Sequence, residues 1–383
     1  MNNLCTKNII IVGSGLSGCV IANLFASKNK KVLIIEKRNH IGGNCYDYID
    51  PETNILISKY GAHLFHTNNE RVWNYIQQFS EWIRWDHKVL SHINNQLVPI
   101  PVNIETVNHL FNLNLQSSED VENWFASKRE IKNEYKNSEE IAKSRVGSEL
   151  YELMFKNYTI KQWDKSPSEL EPEVLARIPI RDNWDGRYFT DKYQALPKEG
   201  YTKMIEKMID SENIEVQLNT DYDDIKNNLN SDHIVIFTGR IDSYFSNHNL
   251  PPLEYRSLNF EWKTYPELNG FYQPNSVINY PSDSVPFTRI VEYKHFYDQH
   301  YSNKRKVKGT IISFETSCSE GEPYYPVPTK ENRELYSKYQ NLVLEEQKIK
   351  NVHFIGRLAS YKYFNMDAAI LNALEYFDTH FNN

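Results

Sequence analysis

The first apolar run, Ile9-Ile10-Ile11-Val12, is unbroken and β-branched, and with Asn8 before it residues 8–12 read as a short strand. The rhythm then changes. Over 16–28 the apolar positions Val20, Ile21, Leu24 and Phe25 recur at helical spacing, and 31–35 reads as a second strand. The same reading predicts helices over 71–79, 200–208 and 366–377, strands over 214–218, Ile234–Phe237 and 352–355, and a hairpin of Val89–Ile93 with Gln96–Ile100 about Asn94-Asn95. Between 104 and 158 the pattern is helical, rich in Glu and Lys and free of Pro, which marks a separate helical unit whose charge runs are solvated faces. Pro167, Pro172 and Pro179 then break helices, so 165–185 is predicted as a loop with at most short helical pieces, long and charged enough for a lid. Strands and turns fill 258–314.

The late strand at 352–355, followed by Gly356 and a helix, returns the chain to its first unit. The expected architecture is α/β with three parts. A discontinuous nucleotide-binding domain takes 1–79, 196–242 and 349–383; a helical domain takes 103–180, with a mobile loop near 165–185; an antiparallel β-sheet domain takes 80–102, 181–195 and 243–348.

Gly13-Ser14-Gly15-Leu16-Ser17-Gly18 joins the first strand to the first helix. In such a turn Gly13 permits the tight bend, Gly15 lets the backbone approach a pyrophosphate, and Gly18 lets helix and strand pack closely. Glu36 ends the second strand about twenty residues on, where a dinucleotide fold places the carboxylate that accepts ribose hydroxyls. These residues predict a dinucleotide and leave NAD and FAD both open. The next segment, Glu36-Lys37-Arg38-Asn39-His40-Ile41-Gly42-Gly43-Asn44, carries a basic pair and a Gly-Gly turn. It resembles the flavoprotein group of amine oxidases, Rab GDP-dissociation inhibitors and sugar mutases, and the resemblance implies FAD, with the turn running close to it.

Composition narrows the classes. The 383 residues leave room for two or three domains, and no apolar run approaches the ~18 residues of a membrane span. The seven mostly polar residues before Asn8 and the short apolar run after them carry no export signal, and Cys5, Cys19, Cys45 and Cys318 form no CxxC pair, which suits a cytoplasmic location. A net charge of −7 argues against nucleic acid, so an anionic substrate needs a few placed arginines. The 26 tyrosines and 7 tryptophans suit a polar, ring-containing ligand. GxSxG, HExxH and Walker patterns are all missing, no metal site is expected, and the cofactor must carry the chemistry.

Four clusters complete the pattern: Tyr60-Gly61-Ala62-His63-Leu64-Phe65-His66-Thr67, Tyr158-Thr159-Ile160-Lys161-Gln162-Trp163, Tyr324-Tyr325-Pro326, and Gly356-Arg357-Leu358-Ala359-Ser360-Tyr361-Lys362-Tyr363. With the flavin motif, and in the same order from about Asn8 to about Phe377, they resemble the UDP-galactopyranose mutase family. The resemblance implies a Rossmann-like FAD-binding domain and a reaction without net redox change that nonetheless needs reduced FAD. In it flavin N5 attacks the anomeric carbon of UDP-galactopyranose as UDP leaves, and the sugar ring opens and recloses as the furanose.

Residue by residue, the resemblance places Arg177 and Arg289 at the diphosphate, where a guanidinium fork suits phosphate. Tyr188, Tyr324 or Tyr325, and Tyr363 line it. Tyr158 and Trp163, with Phe155 and Thr159 beside them and Asn279 on another loop, match the uridine side. His63 matches a histidine at the flavin that assists N5, so that His63, Arg177 and Arg289 form the expected catalytic set. Cofactor contacts are expected from Gly13, Ser14, Gly15, Gly18 and Glu36, then from Lys37, Gly43, Asn44 and Tyr60, and finally from Gly356, Arg357 and Met366.

Two positions depart from the family pattern. Ala62 stands where many members have proline, and where members accepting N-acetylated sugars carry arginine. Asn365, a further expected substrate contact, stands where the family has aspartate, which predicts an altered reduction potential or sugar preference. The rival functions are a mutase of UDP-N-acetylgalactosamine or UDP-arabinopyranose, a flavin oxidase, and a binding module like the Rab inhibitors. The resemblance also implies a homodimer, and because no second dinucleotide motif is present, external NAD(P)H or a flavin reductase is expected to supply electrons.

Overall fold

The computed structural model describes residues 8–301 and 306–382; Cys5 and the rest of the first seven residues lie outside the described residues. Five parallel strands form a sheet in the order Ile214–Gln217, Val32–Ile35, Ile9–Val12, Ile234–Phe237, Val352–Phe354. Their unbroken apolar runs follow from burial on both faces. Ile9, Ile11 and Ile34 face the helices Leu16–Ser27, Tyr201–Met208 and Met366–Phe381, while Ile10, Leu33 and Ile35 meet Ile225 on the other side. Full burial of each such side chain stabilises the sheet by roughly 1.5–3 kcal/mol.

A seven-stranded sheet runs Tyr325–Pro326, Tyr255–Tyr265, Thr310–Cys318, Arg289–Glu292, Val277–Asn279, Val89–Ile93, Gln96–Ile100. One pair corrects the expected antiparallel pattern: Val277–Asn279 runs parallel to Val89–Ile93. These strands come from distant parts of the chain, so no hairpin sets their direction. A small third sheet pairs Tyr193–Pro197 with Phe65–Thr67 and Trp82–Arg84, and the first of these strands crosses the expected boundary at 196.

The helices Ile104–Phe111, Ser118–Lys128 and Ser138–Leu150 start at Asn103, Ser117 and Asn137, each of which accepts a backbone N–H with its side chain. Gly147, at φ 78°, bends the third, and a Cβ there would press to 2.7 Å from the Lys128 carbonyl oxygen. A π-helical turn, Tyr151–Lys156, leads into the helix Asn157–Trp163. The core of this unit is continuous with the seven-stranded sheet, as Val107, Phe125 and Val146 share one apolar cluster with Val89, Val98 and Ile100. The proline-punctuated segment holds one short helix, Glu173–Ala176.

Helix Lys330–Ile349 is missing from the periodicity reading. Only Asn332 and Tyr339 along its 20 residues are buried, so it shows no clear apolar stripe. It packs through Tyr339, Leu335 and Val343 on Ile241, Phe245 and Phe354, which covers the Val352–Phe354 edge of the parallel sheet.

Candidate active site

A cavity of about 480 Å³ lies at the carboxyl ends of the parallel strands, where open α/β sheets bind ligands. The glycine loop forms its floor. A Cβ on Gly18 would run into the carbonyl oxygen of Gly13, and one on Gly13, at φ 103°, would collide with the Thr238 hydroxyl. At Gly15 the opposite holds, since a Cβ there meets nothing within 4 Å. Two glycines are therefore needed by the protein's own packing, and the third leaves room above the N-terminus of helix Leu16–Ser27. Gly43, at φ 55°, backs onto Gly15, with 3.0 Å between its would-be Cβ and the Gly15 Cα. Glu36 is 6% exposed; Oε2 accepts from Ser14 N (2.9 Å) and Ser14 Oγ (2.8 Å), and Oε1 accepts from Arg38 N (3.0 Å). The backbone cradle and the fixed carboxylate, with Gly356 and Met366 lining the same cavity, fit a dinucleotide such as FAD.

His63, Tyr324 and Arg357 form the wall toward the seven-stranded sheet. His63 Nδ1 lies 2.8 Å from the Gly61 carbonyl oxygen, which can only accept, so Nδ1 carries the proton and Nε2 is left as an acceptor. Beyond Arg357 is a cluster of cations and rings. The Arg357 guanidinium is 5.7 Å from the Tyr325 ring and 5.8 Å from the Tyr363 ring; those rings stack at 5.2 Å, and Trp163 lies 6.2 Å from Tyr363. Arg177 covers the Tyr363 ring at 4.3 Å. Burial alone would raise the Tyr363 phenol, yet Arg177, Arg357 and Arg289 together hold it below its ordinary value. Burial raises the phenols of Tyr158 and Tyr188, against the pull of Arg289 on the first and Arg177 on the second. Three arginines thus set a positive field over one group of tyrosines, which is the field an anionic ligand needs.

The arginines are held from behind. Arg289 Nε donates to Glu315 Oε2 at 2.5 Å, and Glu315 is wholly buried. Arg177 follows the helix Glu173–Ala176, whose last carbonyls accept from Arg145 (Leu175 O 3.1 Å, Ala176 O 2.8 Å). Glu171 adds an ion pair with Arg333, and its N–H donates to the Pro328 carbonyl.

A family model described as UDP-galactopyranose mutase matches residues 153–363, the stretch that carries this cluster. The chain belongs to the UDP-galactopyranose mutase family. It is 40% identical over 381 residues to a probable UDP-galactopyranose mutase of Klebsiella pneumoniae, covering 98% of this chain and 94% of the relative. It is also 37% identical over 379 residues to the dTDP-fucopyranose mutase of Escherichia coli, covering 96% and 97%. A model of an NAD(P)-binding Rossmann-like domain matches residues 11–79. The crystal structure of a reduced UDP-galactopyranose mutase superposes with a TM-score of 0.74 at 15% identity over 97% of this chain and 95% of that one, which shows a shared fold. Membership in the family makes this chain a flavin-dependent pyranose–furanose mutase of a sugar nucleotide.

Within the mutase site several expected residues sit differently from the sequence reading. Tyr60 is not among the cavity-lining residues; its hydroxyl bonds His40 Nε2 at 2.7 Å and its ring lies under Arg38. Lys37 and Arg38 both line the cavity and both pair with Glu322, and Arg38, which was not among the expected contacts, also holds Asn44 Oδ1 (3.0 Å). Tyr324 faces the dinucleotide cavity, while Tyr325 stacks on Tyr363. Phe155, Thr159 and Trp163 are buried, at 5%, 2% and 4% exposure, with Phe155 and Trp163 in the same apolar core. Asn279 is the strand partner of Arg289. Asn365 is the exposed N-cap of helix Met366–Phe381 and makes no capping bond; Asp367, in the first turn, accepts from Thr67. Glu315 and Arg145 had no local signal at all. Among the described residues no group of His, Cys, Asp and Glu is arranged to hold a metal, and no helix is long and apolar enough to cross a membrane.

The buried imidazoles give a pH prediction. Burial pulls His63 down to about 4, with Arg357 and Arg289 adding to the effect; His87 falls to about 3 and His353 to about 4, also through burial first. Unfolded, each titrates near 6.5. The unfolded chain therefore binds more protons in between, so the stability these groups contribute is complete above about pH 6.5 and is lost as pH falls toward 4. Urea midpoints are expected to drop between pH 7 and pH 5, and His87→Gln to reduce that slope by about one proton. An unchanged slope would place the His87 pKa near its ordinary value.

Proposed function

We propose that this mutase interconverts UDP-galactopyranose and UDP-galactofuranose with reduced FAD. The convergence of Arg177, Arg289 and Arg357 on Tyr363 and Tyr325, beside a dinucleotide cavity, carries the reading. Bound in that cavity and reduced, FAD supplies a nucleophilic nitrogen for the anomeric carbon. Arg177 and Arg289 bind the diphosphate and stabilise its charge as it departs. Tyr188, Tyr325 and Tyr363 donate to its oxygens and exclude water. Tyr158, Trp163 and Asn279 take the nucleoside end, with Phe155 and Thr159 packed behind them. His63, neutral at working pH, offers Nε2 as an acceptor and its backbone beside the flavin.

The Escherichia coli relative favours a second reading, in which the nucleotide is dTDP and the sugar a deoxyhexose. To separate the two, dithionite-reduced protein is incubated with UDP-galactofuranose, UDP-N-acetylgalactosamine and dTDP-fucopyranose, and the products are resolved by chromatography. The proposal requires UDP-galactofuranose to isomerise fastest, and only after reduction. Faster turnover of the dTDP sugar would replace it.

Asn365→Asp adds a negative charge at the helix terminus that faces the cavity. Negative charge there disfavours the reduced, anionic flavin, so the potential is expected to fall by roughly 10–20 mV. Spectroelectrochemical titration gives the value; equal potentials and an unchanged sugar preference would remove Asn365 from the site.

A further inference from the structure

We propose that Lys161 is a positioning residue for the nucleotide half of the substrate, acting through the loop 280–288; this rests on the sugar-nucleotide reading above. Four backbone carbonyls of that loop converge on its ammonium: Tyr280 O at 2.5 Å, Ser282 O at 2.7 Å, Phe287 O at 2.9 Å and Val285 O at 3.2 Å. An ammonium has three protons, so this one cation saturates its donors on a single short loop and leaves none for ligand or solvent.

The loop connects the strands Val277–Asn279 and Arg289–Glu292, and it closes on a bond from Tyr280 N to Thr288 O at 2.8 Å. Asn279 and Arg289, expected at the nucleoside and at the diphosphate, are register partners at its two mouths. Lys161 itself belongs to the helix Asn157–Trp163, which carries Tyr158, Thr159 and Trp163. The end of that helix is fixed to the sheet, because the Gln162 carbonyl accepts from Arg256 Nε (3.1 Å) and Ser317 Oγ (2.6 Å). The ammonium is thus the tie between the aromatic wall of the nucleoside site and the two polar residues opposite. Without it four carbonyl dipoles face one another with no donor between them, and the loop must open. Asn279 and Arg289 would then lose their spacing from Tyr158 and Trp163.

The test uses the full-length flavin-loaded protein and UDP as the probe. In Lys161→Ala the Kd for UDP and the KM are expected to rise about tenfold or more and kcat to fall less than when Arg289 itself is removed, with flavin content unchanged. Amide exchange in 280–288 should accelerate. Propylammonium, which replaces the lost atoms, should restore UDP affinity, and sodium chloride at the same ionic strength should not. Lys161→Met keeps the stem, and it should show the same loss of affinity if the alanine variant folds poorly. Unchanged UDP affinity in either folded variant, or slow exchange of the loop without the ammonium, overturns the proposal. Wild-type protein that binds neither UDP nor dTDP overturns the sugar-nucleotide reading and this inference with it, whereas wild-type binding with unaltered variants overturns this inference alone.

Discussion

Arg289→Ala should reduce turnover by about two to three orders of magnitude, the cost of removing a group aimed at developing charge. The same change should also destabilise the fold, for a separate reason. Arg289 is the partner of Glu315, whose carboxylate is 0% exposed and whose Oε1 has no hydrogen-bond partner among the described residues. Removing the guanidinium leaves a buried charge uncompensated, which costs about 3–5 kcal/mol. Adding Glu315→Gln should recover most of the stability and none of the turnover, because a neutral amide no longer needs the cation while the diphosphate still does. Urea midpoints and initial rates on the three proteins separate the effects. A double variant as unstable as the single one would mean that the pair is not what holds this region; normal turnover in Arg289→Ala would remove it from the site.

The second large effect distinguishes two glycines of one loop. Gly15→Val should give a folded protein with at least about tenfold weaker flavin binding, because the side chain enters space that only a ligand occupies. Gly15 has φ −73°, which valine adopts without strain. Gly18→Ala should lower stability by about 1–3 kcal/mol whether or not flavin is added, since its Cβ meets the Gly13 carbonyl. Circular dichroism with visible flavin absorbance reads both outcomes. A yellow Gly15→Val protein would show that the cofactor does not approach this loop.

The contrast also explains what a sequence discloses. The strand, glycine loop and helix were legible because their constraint is local: a buried run, a turn needing φ above zero and a helical stripe follow one another within twenty residues. The hairpin of Val89–Ile93 and Gln96–Ile100 was legible for the same reason, with Asn94 and Asn95 both at positive φ in its turn. Helix Lys330–Ile349 escaped because its neighbours take so little of its surface that no stripe forms. The parallel register of Val277–Asn279, the pairing of Lys37 and Arg38 with Glu322 and the Glu315–Arg289 pair depend on residues far apart in sequence. Trp163, Arg177, Tyr325 and Tyr363, which motif likeness grouped, lie in one cluster. Motif likeness also named Tyr60, whose ring lies under Arg38, and Phe155, which shares one apolar cluster with Trp163.

Glu322 bonds both Lys37 and Arg38, at 3.0 and 3.1 Å, and so joins the first βα unit to a segment almost three hundred residues later. Tyr324, Gly356 and Met366 then finish the same cavity wall. During synthesis the glycine loop leaves the ribosome early, but its enclosure waits for nearly the whole chain. The nascent protein therefore cannot retain its cofactor firmly until translation is almost complete, and a chain truncated before Glu322 would release it even if the glycine loop had folded.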